Sequence, residues 1–156
     1  MESYLRERLA ELGYELPPVP EPAGSYVPAV RAGGLVFTAG QLPLRHGELL
    51  YTGKVGGAVT PGEAREAAAF CAVNALSAVL SLGDEAYGGI RVVKVVGYVA
   101  SAQGFSGQPQ VLNGASELLG EVLGGAGVHA RSAVGVAELP FDAPVEVELV
   151  VELSPG

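Results

Sequence analysis

The stretch Val145-Glu146-Val147-Glu148-Leu149-Val150-Val151-Glu152-Leu153 decides the fold class, together with Ala130-Arg131-Ser132-Ala133-Val134-Gly135-Val136-Ala137-Glu138-Leu139-Pro140 upstream of it. In the later segment Val145, Val147, Leu149, Val151 and Leu153 fall on one side, and Glu146, Glu148 and Glu152 on the other. This period of two belongs to a strand with one buried face. The earlier segment alternates in the same way over Ser132 to Glu138. Two consecutive strands around the loop from Leu139 to Pro144 are expected to pair as a hairpin, with Glu138 opposite Val145 and Gly135 opposite Glu148. Val134 and Val136 then share the core face with Val147 and Leu149. Arg131, Ala133, Gly135 and Ala137 share the other face with the glutamates.

Working back from that hairpin, Pro109 to Leu123 reads as a helix with proline at its first position and Gly124-Gly125 after it. Its apolar face is Val111, Leu112, Ala115, Leu118, Leu119 and Val122. Arg91 to Ala102 is valine-rich and reads as a strand. Thr60-Pro61-Gly62-Glu63 is a capping box ahead of an alanine-rich stripe (Ala64, Ala67, Ala68, Cys71, Ala75, Val79, Leu82), with Gly83 as the stop. Tyr26 to Arg31 and Leu35 to Ala39 read as a hairpin about Gly33-Gly34, and Leu49 to Lys54 as a short third strand. Glu2 to Leu12 reads as an amphipathic helix closed by Gly13 and followed by the proline-rich arm Leu16 to Pro22. The order is ββ(β)αβαββ: an α+β mixed sheet with two helices packed on one face. Residues 1–22 form the helix and arm, and 23–156 the main domain.

The chain has 156 residues, 9 Lys+Arg against 17 Asp+Glu, and a net charge of −8. An acidic chain is a poor partner for nucleic-acid phosphates and for anionic membrane surfaces. The hydrophobic content is 49% against 17% charged, and the mean hydropathy is +0.35. The longest purely apolar run, Ala67 to Val73, is far too short to span a bilayer. A subunit interface is the simplest cover for the surplus apolar surface. One cysteine and two histidines leave no Cys/His metal site. The opening residues show no signal peptide, so a cytoplasmic location is the default.

The stripe Ala133, Gly135, Ala137 leaves room for something to approach the sheet, either another subunit or a ligand. Arg131 stands at its end. A planar guanidinium reads a carboxylate through two parallel hydrogen bonds, but Arg131 could equally pair across the strands with Glu152. Cys71 reads as core rather than as a nucleophile. His46 reads as a solvated turn residue, and His129 as either a cleft residue or a half-exposed strand cap.

Ala130 to Pro140 followed by Val145 to Glu148 resembles the C-terminal signature of the RidA family, also called the YjgF family. Phe37-Thr38-Ala39-Gly40-Gln41-Leu42-Pro43 and Val111-Leu112-Asn113-Gly114-Ala115 resemble its two other motifs. The N-terminal helix and arm are similar to a longer subgroup. The resemblance implies a chorismate-mutase-like fold and a homotrimer with a central barrel and a cleft at each subunit boundary. It implies hydrolysis of reactive enamines and imines, such as 2-aminoacrylate and 2-imino acids, to 2-oxo acids and ammonia, without metal or organic cofactor. Arg131 matches the arginine that grips the substrate carboxylate, and Glu146 the glutamate that orients water. Tyr26 and Asn113 match cleft residues. Gly40 lies where backbone approaches the ligand, and Ala133 stands where short members often carry cysteine. Gly135 replaces the family glutamate. Both replacements are expected to widen the pocket and make it less polar. A non-catalytic small-carboxylate binder or chaperone-like regulator on the same trimer is the alternative. An endoribonuclease or translation inhibitor, a label family members carry, fits the charge poorly.

Overall fold

A computed structural model describes residues 1–19, 21–82 and 87–155. In chain order it contains α1 (Glu2–Glu11), β1 (Ala29–Ala32), β2 (Leu35–Thr38), β3 (Leu44–Arg45), β4 (Glu48–Leu49), α2 (Pro61–Leu80), β5 (Tyr87–Ala100), α3 (Gln108–Leu123), β6 (Ala130–Val136) and β7 (Val145–Pro155). The main sheet has the order β1-β2-β7-β5-β6, and β3-β4 is a separate small hairpin. The architecture is α+β with a mixed sheet, as the alternation and helical periods predict.

Helix α2 starts where its capping box places it. The Glu63 N–H donates to Thr60 Oγ1 at 3.1 Å, and the Thr60 N–H donates to Glu63 Oε1 at 2.9 Å. Its alanine-rich run from Ala64 to Val79 is mostly buried against the sheet. The helix ends at Leu80 with Ser81 as its cap, and the stop expected at Gly83 lies outside the described residues. Asn74 of α2 donates to the carbonyls of Leu42 and Leu44 at 2.9 and 3.0 Å, which ties the segment after β2 to the helix. Helix α1 adds Leu5 and Leu9 to the same core, and Leu16 of the arm joins them.

Two strands differ from expectation in extent. β1 begins at Ala29 rather than at Tyr26. Pro28, just ahead of it, has no N–H for a ladder, although its carbonyl accepts from the Ala39 N–H at 2.8 Å. The third strand expected over Leu49 to Lys54 is instead the β3-β4 pair. His46 and Gly47 between them both have positive φ, 52° and 79°, the backbone of a tight two-residue hairpin turn.

The larger correction concerns β6 and β7, which do not pair. β5 lies between them, antiparallel to β7 and parallel to β6. Val95 sits between Leu149 and Arg131, Gly97 between Val147 and Ala133, and Val99 between Val145 and Gly135. The chain from β6 to β7 therefore crosses over the end of β5, through the turn Pro140–Asp142. β6 becomes an edge strand.

The faces of β6 are also inverted. Val95, Val99, Val145, Val147, Leu149 and Val151 are buried beneath the helices. Arg131, Ala133 and Gly135 share that helix-covered face through their register with β5. Val134 points to the other face and is 43% exposed. The cause is the closeness of α3. A Cβ at Gly97 would run into Leu112, and one at Gly114 into the Arg65 carbonyl of α2. Small residues on β6 do signal a close approach, and α3 is what approaches.

Gly114→Ala tests this packing. The obstructing atom is backbone, so α2 and α3 must part. Overpacking of this kind costs about 1–3 kcal/mol, or roughly 2–10 °C in Tm for a chain of this size. Thermal unfolding reads it, and an unchanged Tm would contradict the contact.

Candidate functional site

The candidate residues assemble into two clusters on opposite faces of the sheet. The first is built on β6 and α3. Arg131 Nη1 donates to Asn113 Oδ1 at 2.9 Å and to Ser116 Oγ at 3.1 Å, and Nη2 donates to the Pro109 carbonyl at 3.1 Å. Residues 109, 113 and 116 are spaced i, i+4 and i+7, so they lie on one side of α3, the side that meets β6. Arg131 does not pair with Glu152, whose carboxylate lies 3.8 Å from Arg91. Among the described residues no carboxylate forms an ion pair with Arg131. A guanidinium carries five N–H donors. Three bonds to neutral acceptors orient it and leave the Nε–H and one Nη2–H without a protein acceptor among the described residues.

Sequence reasoning picked out Asn113 and Arg131 but missed Ser116. Its signal was the spacing from Asn113 on one helical face. His129 belongs to this cluster too. Its Nε2 lies 2.9 Å from Ser116 Oγ and its Nδ1 2.6 Å from the Gly127 carbonyl. Ala133 is partly buried and packs against the core. At Gly135 the expected widening does not occur. The Gln108 side chain fills the space, with Nε2 only 2.7 Å from where a Cβ would stand, and it bonds Ser101 Oγ and the Phe105 carbonyl.

The second cluster lies on the face without helices. Glu146 is in register with Tyr98, and its carboxylate lies against Gly40, where any side chain would displace it. Gly40 is held there by the reciprocal backbone bonds of its neighbour Gln41 with Val147, at 2.8 and 3.0 Å. The Tyr98 hydroxyl donates to Glu148 Oε1 at 3.0 Å. Burial, and then the nearby Glu148, push the Glu146 carboxyl above its ordinary range. Burial and the bond to Glu148 push the Tyr98 hydroxyl up. Tyr98 and Glu148 were not singled out from sequence, because an aromatic and a glutamate on a strand are ordinary there.

The raised carboxyl has a consequence for stability. In the folded chain Glu146 takes up a proton at higher pH than in the unfolded chain. Its contribution is therefore most favourable below the unfolded value, and it is lost as pH rises through the folded one. Glu146→Gln removes that loss. The variant is expected to melt at or above the wild-type temperature near neutral pH, with the gap closing as pH falls towards about 4.5, the ordinary carboxyl value. Melts across that range check it, and a gap that widens on acidification would contradict it.

Tyr26 joins neither cluster. It precedes β1, is 51% exposed, and its hydroxyl oxygen accepts from the Ala23 N–H at 3.2 Å. Cys71 is fully buried, its thiol is pushed well up by burial, and it faces the Val145 carbonyl at 3.6 Å. It is core, as read. A cavity of about 930 Å³ lies between the arm, Arg45, Phe70 and Asn74, away from both clusters. Size does not make it the better candidate. A site at an edge strand stays open until another surface covers it. Among the described residues no helix is long and apolar enough to cross a membrane.

Comparison with known proteins agrees with this architecture. The profile of the family described as Endoribonuclease L-PSP matches residues 18–153. Protein TCP17 of Trypanosoma cruzi is 41% identical over 147 residues, 94% of this chain and 92% of its own. The crystal structure of Atu1372 from Agrobacterium tumefaciens superposes with a TM-score of 0.88 at 43% identity, over 97% of this chain and 94% of that one. A Shewanella oneidensis MR-1 protein, provisionally named an endoribonuclease, gives 0.89 at 32% identity, over 96% and 99%. With a family profile spanning most of its length and relatives this similar end to end, the chain belongs to the Endoribonuclease L-PSP family, the YjgF/RidA family that its terminal motif resembles.

Proposed function

We propose that this chain hydrolyses reactive enamine and imine intermediates, converting 2-imino acids to 2-oxo acids and ammonia at sites shared between protomers of a trimer. The observation that carries the reading is the Arg131 guanidinium. It is oriented by Asn113, Ser116 and the Pro109 carbonyl, and among the described residues no carboxylate pairs with it. Its free Nε–H and Nη2–H are the donors that a side-on carboxylate takes as a parallel pair.

A 2-imino acid carries its electrophilic C=N carbon next to that carboxylate. Holding the carboxylate fixes the carbon, and much of the catalysis is this positioning. Water adds to the carbon, and its proton passes through Glu146 to the nitrogen. The hydroxyl proton of the tetrahedral adduct then passes to the same nitrogen as the C–N bond breaks, so that ammonia leaves and the C=O of the oxo acid forms. A carboxylate raised by burial is a better-matched base than an exposed one.

Arg131 and Glu146 cannot serve one substrate within a single protomer. Their strands flank β5, three residues apart in register. That is about 10 Å along the sheet and about 10 Å across it, and the side chains leave from opposite faces. The helix-free face carries Val30, Phe37 and Val134, exposed by 53%, 44% and 43%. Burying these residues between protomers would bring the edge strand of one protomer to Glu146 of the next. Such an interface would also cover part of the chain's surplus of apolar residues.

The test generates 2-iminopropanoate in situ with an amino-acid oxidase and follows its decay. Acceleration by the wild-type protein is expected, and none would overturn turnover. Calorimetry with 2-oxobutanoate then separates the alternatives. Binding without turnover would leave a non-catalytic carboxylate binder, and no binding would remove that as well. The endoribonuclease name of a relative draws no support from a chain of net charge −8.

A further inference from the structure

We propose that Ser116 and His129 are positioning residues for Arg131, acting as a one-directional hydrogen-bond relay that holds the guanidinium in the orientation a carboxylate needs. The inference rests on the carboxylate-binding reading for its functional consequence, but not for its geometry.

The direction of the relay follows from one acceptor. The Gly127 carbonyl, 2.6 Å from His129 Nδ1, can only accept, so Nδ1 carries a proton. In the neutral ring Nε2 is then a bare lone pair. Ser116 Oγ, 2.9 Å away, must donate its single hydrogen to it. With that hydrogen committed, the remaining lone pairs of Ser116 Oγ accept from Arg131 Nη1 at 3.1 Å. Without His129 the hydroxyl is free to rotate and donate elsewhere.

Both ends of the relay are anchored. Gly127 is buried, and a Cβ there would run into the Leu119 carbonyl of α3, so its backbone is seated directly on that helix. At the other end Asn113 Oδ1 takes the second hydrogen of Nη1 at 2.9 Å. His129 immediately precedes β6, and its bond to Ser116 holds its ring on the side of β6 that meets α3. Nothing in the hydrolysis itself uses the imidazole: it is separated from the guanidinium by the serine and acts only through it.

The first measurement needs neither ligand nor variant. Nitrogen-15 spectra of the labelled protein are expected to show the neutral His129 ring protonated at Nδ1 and bare at Nε2. A ring protonated at Nε2 instead would overturn the relay. The Arg131 Nη signals are expected to be separately resolved, and His129→Phe to merge them through faster rotation. Signals that stay resolved in the variant would also overturn it. Where His129→Phe does not fold, His129→Leu serves, which likewise offers Ser116 no acceptor, with the same outcomes.

Calorimetry with 2-oxobutanoate gives the functional arm. Ser116→Ala and His129→Phe are each expected to weaken binding roughly ten-fold, the effect of one lost bond to a charged group. The double variant is expected to lose no more than the worse single one, because both act through one bond. Independent losses that multiply to about a hundred-fold would overturn the proposal. If the wild-type protein shows the expected spectra but no 2-oxobutanoate binding, the relay stands and the carboxylate reading falls.

Discussion

Arg131→Ala is expected to abolish measurable 2-oxobutanoate binding and to lower kcat/KM for 2-iminopropanoate by on the order of a hundred-fold or more, the scale of truncating one partner of a hydrogen-bonded charge pair. The fold should survive. Arg131 is only part-buried, it sits on an edge strand, and the acceptors it leaves on α3 lie near solvent. Tm is therefore expected to move by no more than a few degrees. Arg131→Lys is the sharper comparison. An ammonium keeps the charge but has three donors on one atom. It cannot bond Asn113, Ser116 and the Pro109 carbonyl and still offer a parallel pair to a carboxylate. If charge alone mattered, lysine would restore most of the activity. The fork geometry predicts that it restores little. In situ imine decay and calorimetry on both variants decide between the two. Wild-type activity in Arg131→Ala would sink the reading altogether.

How far the sequence led depends on which contacts set each feature. Helix α2 was legible to its first residue, because a capping box is local chemistry between Thr60 and Glu63. The alternation of β7 was legible because burial on one face needs nothing more than a neighbour on that side. Strand order was not. Alternation says which residues share a face but not which strand lies alongside, so β5 could enter between β6 and β7 without leaving a mark in either segment. The faces of β6 went wrong for a related reason. Ala133 and Gly135 are small because something comes close, and the same pattern would serve an open cleft or a packed helix. Only the approach of α3, fixed by Gly97 and Gly114 against Leu112 and Arg65, settles which. In the candidate site, Arg131 stood out because an arginine ending a small-residue stripe is unusual, whereas Ser116 is an ordinary helical serine until β6 is laid beside it. Tyr26 is matched by its place on an N-terminal strand, and the strand starts only at Ala29, after Pro28.

Those corrected faces lead to the prediction with the largest expected contrast. If Arg131 and Glu146 of one protomer met the same substrate, variants lacking either one would stay inactive however they were mixed. With the two residues on opposite faces of a single sheet, the proposed site would draw its arginine from one protomer and its glutamate from the next. Arg131→Ala and Glu146→Gln are each expected to be inactive in 2-iminopropanoate hydrolysis. Refolded together in equal amounts, they should regain roughly a quarter of wild-type activity. A site works only when its arginine donor is the glutamate variant and its glutamate donor the arginine variant, an event of probability about one in four in a closed cyclic oligomer with random mixing. Native mass spectrometry on the same sample establishes that mixed species have formed. Mixed trimers without recovered activity would show that the two residues do not complete a shared site. A protein that stays monomeric would remove the interface that the Val30, Phe37 and Val134 face is proposed to make. Recovery near a quarter would place the reaction at the boundary between subunits, with the carboxylate held by the edge strand of one chain and the water by the open sheet face of its neighbour.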